Sequence, residues 1–515
     1  MNPVSASIPA DEAPEEDGRR TFAWNSLRAC GAVVGAVGLF QTAFEIPRLG
    51  WLTLGALACL FDLRRLATAR QAFYAGLIAG LGVFVFQTGF LWTIFGPVAP
   101  ILWLILASFH AMFVSVLSRV QSLWGTKAAL ILAPVLWCGI EFFRSEVWWL
   151  RFTWFAAASP FQESVAGLAR LLGTYGLGAM AMGLAGLGLV LVQRREWRYL
   201  AALLVAVAGI AFWGRTRDTA PEPSDRHVQM IGIQLEFPGP PEVLVALTRA
   251  VKAHPEAELI VLSEYTFDGP VPDSIQTWCA KNHKWLIAGG KELVEPSTNA
   301  VADGGWAAIR RLAPKASGPA AQEFYNTAFV VGPDGQIAFR QAKSRPIQFF
   351  SDGLPARTQQ LWESPWGPIG IAICYDLSYR QVVDGLIRRG ARALVVPTMD
   401  VESWGVREHR HNARMTRLRA TECGVPIFRV ASSGISQWVN ASGRELAVAP
   451  FPGAGALLSA TFSLASTTSS QPPIDAWAAP IASVTSGAVL LVVVFGPRRS
   501  LAAQRAASTA NSPVP

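Results

Sequence analysis

A carboxylate, an amine and a thiol, Glu264, Lys343 and Cys374 in chain order, make a set of groups suited to acyl transfer. Cys374 ends the apolar run Pro368-Ile-Gly-Ile-Ala-Ile373, Glu264 ends the similar run Ile260-Val-Leu-Ser263, and Lys343 follows Arg340-Gln-Ala342. A thiol attacks a carbonyl carbon only as thiolate, so it needs a base or cation beside it. A strand-to-turn position exposes its sulfur while the next backbone N–H faces the substrate oxygen. A cysteine at the end of an apolar strand is more commonly a small buried hydrophobe, and the thiol gains meaning only with its partners. A carboxylate that closes an apolar strand either sits at a solvated edge or is placed to accept a proton. An ammonium such as Lys343 either stays on the surface beside Arg340 or steadies an oxyanion. The set points to chemistry on an amide or ester.

The elements that must position these groups follow from periodicity. Apolar runs predict strands at 228–234, 258–262, 285–288, 327–331, 336–339, 369–373, 393–396, 427–431 and 435–439. Gly332-Pro-Asp-Gly335 and Asn440-Ala-Ser-Gly443 read as hairpin turns. Helices are expected at 241–253, 273–282, 377–389 and 409–422, the last stopped by Gly424. Strands and helices in this order indicate an α/β sandwich with long loops at 293–322 and 344–360.

Around that stretch the composition is of another kind. Hydrophobic residues make up 51% of the 515, charged residues only 16%, and the mean hydropathy is +0.31, which places the chain in the membrane class. Clear spans are expected at 72–95, 101–117, 171–192 and 477–495, each near the roughly 20 residues that cross a bilayer. Shorter candidates lie at 29–44, 49–61, 128–143 and 199–213. Arg19, Arg20 and Arg28, then Arg64, Arg65 and Arg70, then Arg119 and Lys127, then Arg194, Arg195 and Arg198, and finally Arg498 and Arg499 fall on one side if the N-terminus is cytoplasmic. The expected organisation is a disordered cytoplasmic tail at 1–20, a multi-span domain of about seven helices at 21–215, an extracytoplasmic catalytic domain at 225–465, a C-terminal span at 477–496 and a second tail at 497–515. Loop charge of this kind accounts for the net +8, so no nucleic-acid partner is expected.

The six cysteines do not form a disulfide framework, although Cys279 and Cys423 are candidates to pair in an oxidising compartment. No spacing indicates zinc or another metal, and His409 and His411 read as a solvated helix start.

Ile260-Val-Leu-Ser-Glu264, Tyr325-Asn-Thr-Ala328, Lys343 and Ile371-Ala-Ile-Cys-Tyr-Asp376 together resemble the Glu, Lys and Cys motifs of the nitrilase (carbon-nitrogen hydrolase) superfamily. The flanking spans resemble its membrane branch, apolipoprotein N-acyltransferase. The segments Thr398–Trp404, Glu408–Glu422 and Val430–Ile435 are similar to that branch, as are the loop Arg144–Phe161 and Leu172–Gly176. The resemblance implies a transmembrane helix bundle joined to an α-β-β-α sandwich, working without a cofactor as a monomer in a bacterial inner membrane, with the catalytic domain periplasmic. It implies that Cys374 takes an acyl chain from a phospholipid donor as a thioester and passes it to the α-amine of a diacylglyceryl apolipoprotein acceptor. Glu264 is then the general base, Lys343 and the Tyr375 backbone N–H stabilise the oxyanion, and Tyr375, Asp376, Asn326 and Trp404 support the pocket.

The chain departs from the family pattern after the lysine, where Pro346-Ile-Gln-Phe-Phe-Ser-Asp352 replaces a Pro-Phe-Gly-Glu stretch. Either Asp352 takes the role of that glutamate after a shift in register, or the role is absent. Asp376 also stands where the acyltransferases commonly carry Glu. Two other readings remain at this point: a membrane-tethered amidase that passes the acyl group to water, and a non-enzymatic scaffold or transporter.

Overall fold

The computed structural model describes residues 13–216, 223–294, 322–348, 350–453, 455–467 and 472–495. The expected tail residues 1–12 and 497–515 and most of the loop 293–322 lie outside them. Residues 13–20, expected in a disordered tail, are helical and open α1 (Ala13–Glu45). A proline at the second position followed by Glu15, Glu16 and Asp17 is a sequence that a helix N-terminus accepts and even favours.

The membrane body continues through α2 (Leu52–Asp62), α3 (Ala69–Gln87), α4 (Phe90–Phe95), α5 (Ala99–Phe142), α6 (Ala166–Gln193) and α7 (Trp197–Thr216), and α12 (Asp475–Phe495) returns to it after the second domain. Six described stretches are long and apolar enough to cross a membrane: 26–45, 69–87, 90–147, 162–193, 197–216 and 475–495. This is a multi-pass membrane protein. The span expected at 72–95 divides at Thr88 and Gly89, so that α4 is a separate short helix. α5 is two arms, because Gly125 sits at φ 80°, ψ −177°. α2, eleven residues and therefore roughly 16 Å long, reaches only part way across a hydrocarbon core of about 30 Å.

The second body starts with β1 (Pro223–Ile233), α8 (Pro240–Ala253), β2 (Leu259–Val261), α9 (Asp273–Asn282), β3 (Trp285–Leu293), β4 (Phe324–Val331) and β5 (Ile337–Ala342). It continues with β6 (Leu361–Ser364), β7 (Gly367–Ile371), α10 (Arg380–Arg388), β8 (Ala393–Thr398), α11 (Val406–Cys423), β9 (Ile427–Ala431), β10 (Gln437–Val439), β11 (Glu445–Val448) and β12 (Leu457–Ala465). The strands form two six-stranded sheets, ordered β12-β1-β2-β3-β4-β5 and β11-β10-β9-β8-β7-β6. Both have parallel centres, β1-β2-β3 and β7-β8-β9. Strands buried on both faces read as unbroken apolar runs, which is why these were legible.

Val228, Met230, Ile371, Val395, Phe428 and Phe462 fill the space between the sheets. Val243, Leu247 and Ile275 seat α8 and α9 on the outer face of one sheet, and Leu386, Ile387 and Ala420 seat α10 and α11 on the outer face of the other. The result is a nitrilase-like α-β-β-α sandwich. Cys279 lies in the first outer layer and Cys423 in the second, both as free buried thiols, so the two do not pair.

Candidate active site

Each reactive side chain sits just past the end of a strand. Glu264 follows β2, and Gly289 of β3 packs against its backbone so closely that a Cβ there would lie 2.6 Å from the Glu264 Cα. Lys343 follows β5, with its own N–H donating to the Asn326 carbonyl at 2.7 Å. Cys374 follows β7 and takes φ +51°, a left-handed value that turns the chain sharply into a short 3-10 turn, Cys374–Ser378. The helix expected from 377 therefore starts only at Arg380.

The two sheets bring these ends together. Lys343 Nζ donates to Glu264 Oε1 and lies 2.8 Å from both that oxygen and Asp352 Oδ2. Asn326 Nδ2 bridges the same two carboxylates, at 2.6 Å from Glu264 Oε1 and 2.8 Å from Asp352 Oδ1. Tyr265 Oη donates to Asp352 Oδ1 at 2.8 Å and the Ile347 N–H to its Oδ2 at 2.7 Å. Glu264 Oε2 accepts from the Met399 N–H at 2.8 Å, while the Met399 carbonyl receives the Cys374 thiol at 3.6 Å. The Asp376 carboxylate accepts from the Ser344 and Arg345 N–H groups at 2.9 and 2.7 Å, which fixes the chain leaving Lys343. Glu264, Lys343, Asn326 and Asp376 are buried, and Asp352 and Cys374 nearly so.

Burial pushes the Cys374 thiol well above its ordinary pKa and the Glu264 carboxylate adds to this, against the pull of Lys343. A nucleophile at this position would rest as a neutral thiol and lose its proton as it attacks. Burial disfavours the Lys343 charge, but Asp352 and Glu264 outweigh it and hold the ammonium well above its ordinary range. Burial also raises Asp376 to about 6, against the N–H groups it accepts from.

The thiol opens onto a cavity of about 900 Å³, its open mouth included, that both bodies build. Phe90, Leu91, Ile94 and Phe95 of α4, with Leu102, Ile105 and Leu106 of α5, form the membrane side, and Phe152 and Trp154 extend it. Cys374, Tyr375, Ile347, Phe350 and Trp404 form the catalytic side, with Gln348, Glu408 and Asn412 as its other polar members. Tyr375 packs edge-on against Trp154, their ring centres 6.0 Å apart. Trp404 thus lines the cavity without joining the polar cluster.

His409 and His411 are buried, not solvated. His409 Nδ1 lies 2.5 Å from Asp400 Oδ1 and 3.2 Å from Glu408 Oε2, while Arg429 holds the other Asp400 oxygen at 3.0 Å. Although burial works against the charge, the carboxylates raise His409 to about 10. The charged neighbours in Glu408-His-Arg-His411 suggested solvent, but only Arg410 is exposed, while Glu408 and His409 pair in the interior. Sequence reasoning also missed Tyr265 and the Met399 backbone. Adjacency to Glu264 was the only signal for the first, and a main-chain group carries none.

Residues 36–187 match the family model of the apolipoprotein N-acyltransferase N-terminal domain, and residues 225–470 match that of carbon-nitrogen hydrolases. The chain belongs to the apolipoprotein N-acyltransferase family. Among its relatives, an apolipoprotein N-acyltransferase of Ralstonia nicotianae is 24% identical over 82% of this chain and 86% of the relative. One of Allorhizobium ampelinum is 25% identical over 81% and 86%. Among solved structures, a carbon-nitrogen hydrolase of Helicobacter pylori aligns at 19% identity and TM-score 0.35, covering 45% of this chain and 88% of the other. The membrane match and the hydrolase match fall on the two bodies that share the cavity.

Proposed function

We propose that this protein is an N-acyltransferase of a bacterial cytoplasmic membrane, moving a fatty acyl chain from a phospholipid through a Cys374 thioester to the α-amine of a diacylglyceryl-cysteine on an apolipoprotein. The observation that carries this reading is the buried Glu264–Lys343–Cys374 cluster opening into an apolar cavity whose other wall is α4 and α5. An acyl chain is what such a cavity excludes from water most favourably, at about 0.8 kcal/mol per buried methylene. A water-soluble amide gains nothing from it, which weighs against the amidase reading.

In the first half-reaction Glu264 takes the thiol proton as sulfur attacks the ester carbonyl. Lys343 and the Tyr375 N–H stabilise the oxyanion, and collapse expels the lysophospholipid alkoxide, which receives the proton back from Glu264. In the second half-reaction the lipoprotein amine attacks the thioester, Glu264 removes its proton, and as the amide forms the Cys374 sulfur leaves and takes that proton from Glu264, which restores the thiol. Asn326 and Asp352 hold Glu264 and Lys343 in register, and Asp376 and Trp404 support the loop and the pocket. A monomer suffices for these steps, and they use no cofactor. The excess of Lys and Arg in the loops on the opposite side supports a periplasmic catalytic domain.

Intact mass of the detergent-purified protein after incubation with phospholipid tests this. A hydroxylamine-labile gain of one acyl chain, absent from Cys374→Ala, is expected. No adduct, together with hydrolysis of soluble amides, would replace the reading with the tethered amidase.

A further inference from the structure

Two arginines stand in the loops that supply cavity residues from the membrane side and from the catalytic side, and among the described residues neither has a carboxylate partner. Arg151 lies between the cavity residues Leu150 and Phe152, in the left-handed region at φ +40°, a conformation that an arginine adopts only when its surroundings impose it. Its carbonyl accepts from Tyr379 Oη at 3.1 Å, but its buried Nε has no hydrogen-bond partner. Arg345 lies two residues before the cavity residue Ile347. Its backbone N–H is held by Asp376, and among the described residues its guanidinium donates only to the neutral Gln381 side chain, at 3.1 Å. Gln348 ties the two loops together by donating to the Trp149 carbonyl at 3.0 Å. Both loops meet the turn after Cys374, where Tyr379 Oη donates to the Arg151 carbonyl and Gln381 accepts from the Arg345 guanidinium, and after burial the charge of Arg345 is what most lowers the pKa of Arg151. Glu146 and Tyr379 act in the other direction, but Glu146 is occupied by the Tyr175 hydroxyl and the Arg380 N–H.

Two half-buried guanidinium groups brought together without a carboxylate repel each other unless an anion sits between them, and their planar forks fit phosphate oxygens. We propose that Arg151 and Arg345 form a phosphate-binding rim that seats the phosphodiester of the acyl donor. The proposal rests on the acyltransferase reading and deepens it. The phosphate of a glycerophospholipid lies a few bonds from either ester carbonyl, so anchoring it at the rim points an acyl chain into the cavity and brings its carbonyl toward Cys374. The diacylglyceryl acceptor carries no phosphate. The rim therefore acts in the first half-reaction only, and it gives one cavity a means of telling donor from acceptor.

The test compares Cys374 acylation by phosphatidylglycerol micelles and by p-nitrophenyl palmitate, a phosphate-free acyl ester, in wild type, Arg151→Gln and Arg345→Gln. Each variant is expected to raise KM for the phospholipid at least about tenfold, equivalent to 1.4 kcal/mol, and to leave the nitrophenyl ester within about twofold. Equal losses on both donors would overturn the proposal in favour of a purely structural role, as would an unchanged phospholipid KM. Inorganic phosphate that slows both donors alike, with the phospholipid KM unmoved in the variants, would assign the rim to a free anion instead. Native mass spectrometry of Cys374→Ala with phosphatidylglycerol or diacylglycerol reads the rim without chemistry. Loss of phosphatidylglycerol binding alone in the arginine variants is expected even if no thioester ever forms, and its retention would refute the rim.

Discussion

Replacing Asp352 with asparagine tests whether the loop after Lys343 supplies a carboxylate that the reaction needs. The two side chains have nearly the same shape, so the change is one of hydrogen-bonding character. Asp352 receives only donors: Tyr265 Oη and Asn326 Nδ2 on Oδ1, the Ile347 N–H and Lys343 Nζ on Oδ2. A carboxylate satisfies all four, whereas an amide has one acceptor oxygen and turns an NH₂ toward two donors whichever way it is placed. One of those sets contains a buried ammonium, so unpaired groups cost about 1–3 kcal/mol, more where charged. Lys343 is then left with Glu264 alone at 2.8 Å. That pairing draws the base toward the lysine and the lysine away from the oxyanion. Losing one oxyanion donor costs about 10²–10³ in rate, or 2.7–4 kcal/mol. Asp352→Asn is therefore expected to slow thioester formation, followed by rapid-quench intact mass, by at least about 10²-fold. Asp352→Glu is expected to recover part of it. An Asp352→Asn protein that folds and acylates at the wild-type rate would refute the claim that this residue holds Lys343 in place.

Asp376 predicts a pH dependence. Its folded pKa is raised from 3.8 to about 6, so between these values the folded protein keeps a proton that the unfolded chain releases. Stability is expected to fall as pH rises through that window, by about 3 kcal/mol in all. The acylation rate is expected to fall in the opposite direction, below about pH 6, as protonation releases the Ser344 and Arg345 N–H groups, and Asp376→Asn should abolish that limb in a pH–rate profile. Leu106→Trp fills the cavity from α5 and is expected to shift the accepted acyl group to shorter chains in competition between myristoyl and stearoyl donors, at a packing cost of about 1–3 kcal/mol. Asp475→Asn takes the charge from the partner of Arg380 and from the acceptor of the Tyr175 N–H, and a lower melting temperature in detergent is expected, from a loss of up to about 3–5 kcal/mol.

The sequence was readable where burial is two-sided and unreadable where a group acts through a neighbour. β2, β7, β8 and β9 appear as apolar runs because no face of them meets water, and Glu264 and Cys374 stand just past the ends of the first two. β12 escaped notice: its buried Leu458, Ala460, Phe462 and Leu464 alternate with Ser and Thr, and small residues weaken the period-2 signal. β11 is a short exposed edge and β6 is four residues long, so neither concentrates enough apolar surface to be seen. At the site, the thiol, base and amine stood out by residue type, whereas Met399 contributes only main-chain atoms. Asp352 could be placed only by geometry, since the spacing from Lys343 left both of its possible roles open. The burial of His409 depends on Asp400 and Arg429, which come from two other elements, and no local pattern predicts that.

The membrane body does more than tether the catalytic one. The turn that carries Cys374 continues into Leu377, Ser378 and Arg380, and each of these is gripped at the junction. Trp154 Nε1 donates to Ser378 Oγ at 3.2 Å, and Glu146 accepts from the Arg380 N–H at 3.0 Å. Arg419 donates to the Leu377 and Ser378 carbonyls at 3.2 and 2.6 Å and pairs with Glu422, whose other oxygen accepts from the Thr174 N–H at 3.0 Å. Asp475 of the last helix meets the Arg380 guanidinium and accepts from the Tyr175 N–H at 2.9 Å, at the point where α6 breaks. Gly173 makes that break, with φ +73° and no room for a Cβ beside the Asp475 carboxylate. Buried ions of this kind cost desolvation that their pairing at best repays, so global stability alone is a weak reason for them. What they fix is the position of Cys374 relative to α4 and α5, the helices that form the other wall of its cavity. A catalytic domain released from its helices would keep the Glu264, Lys343 and Cys374 geometry within its sheets and lose the wall against which an acyl chain is held.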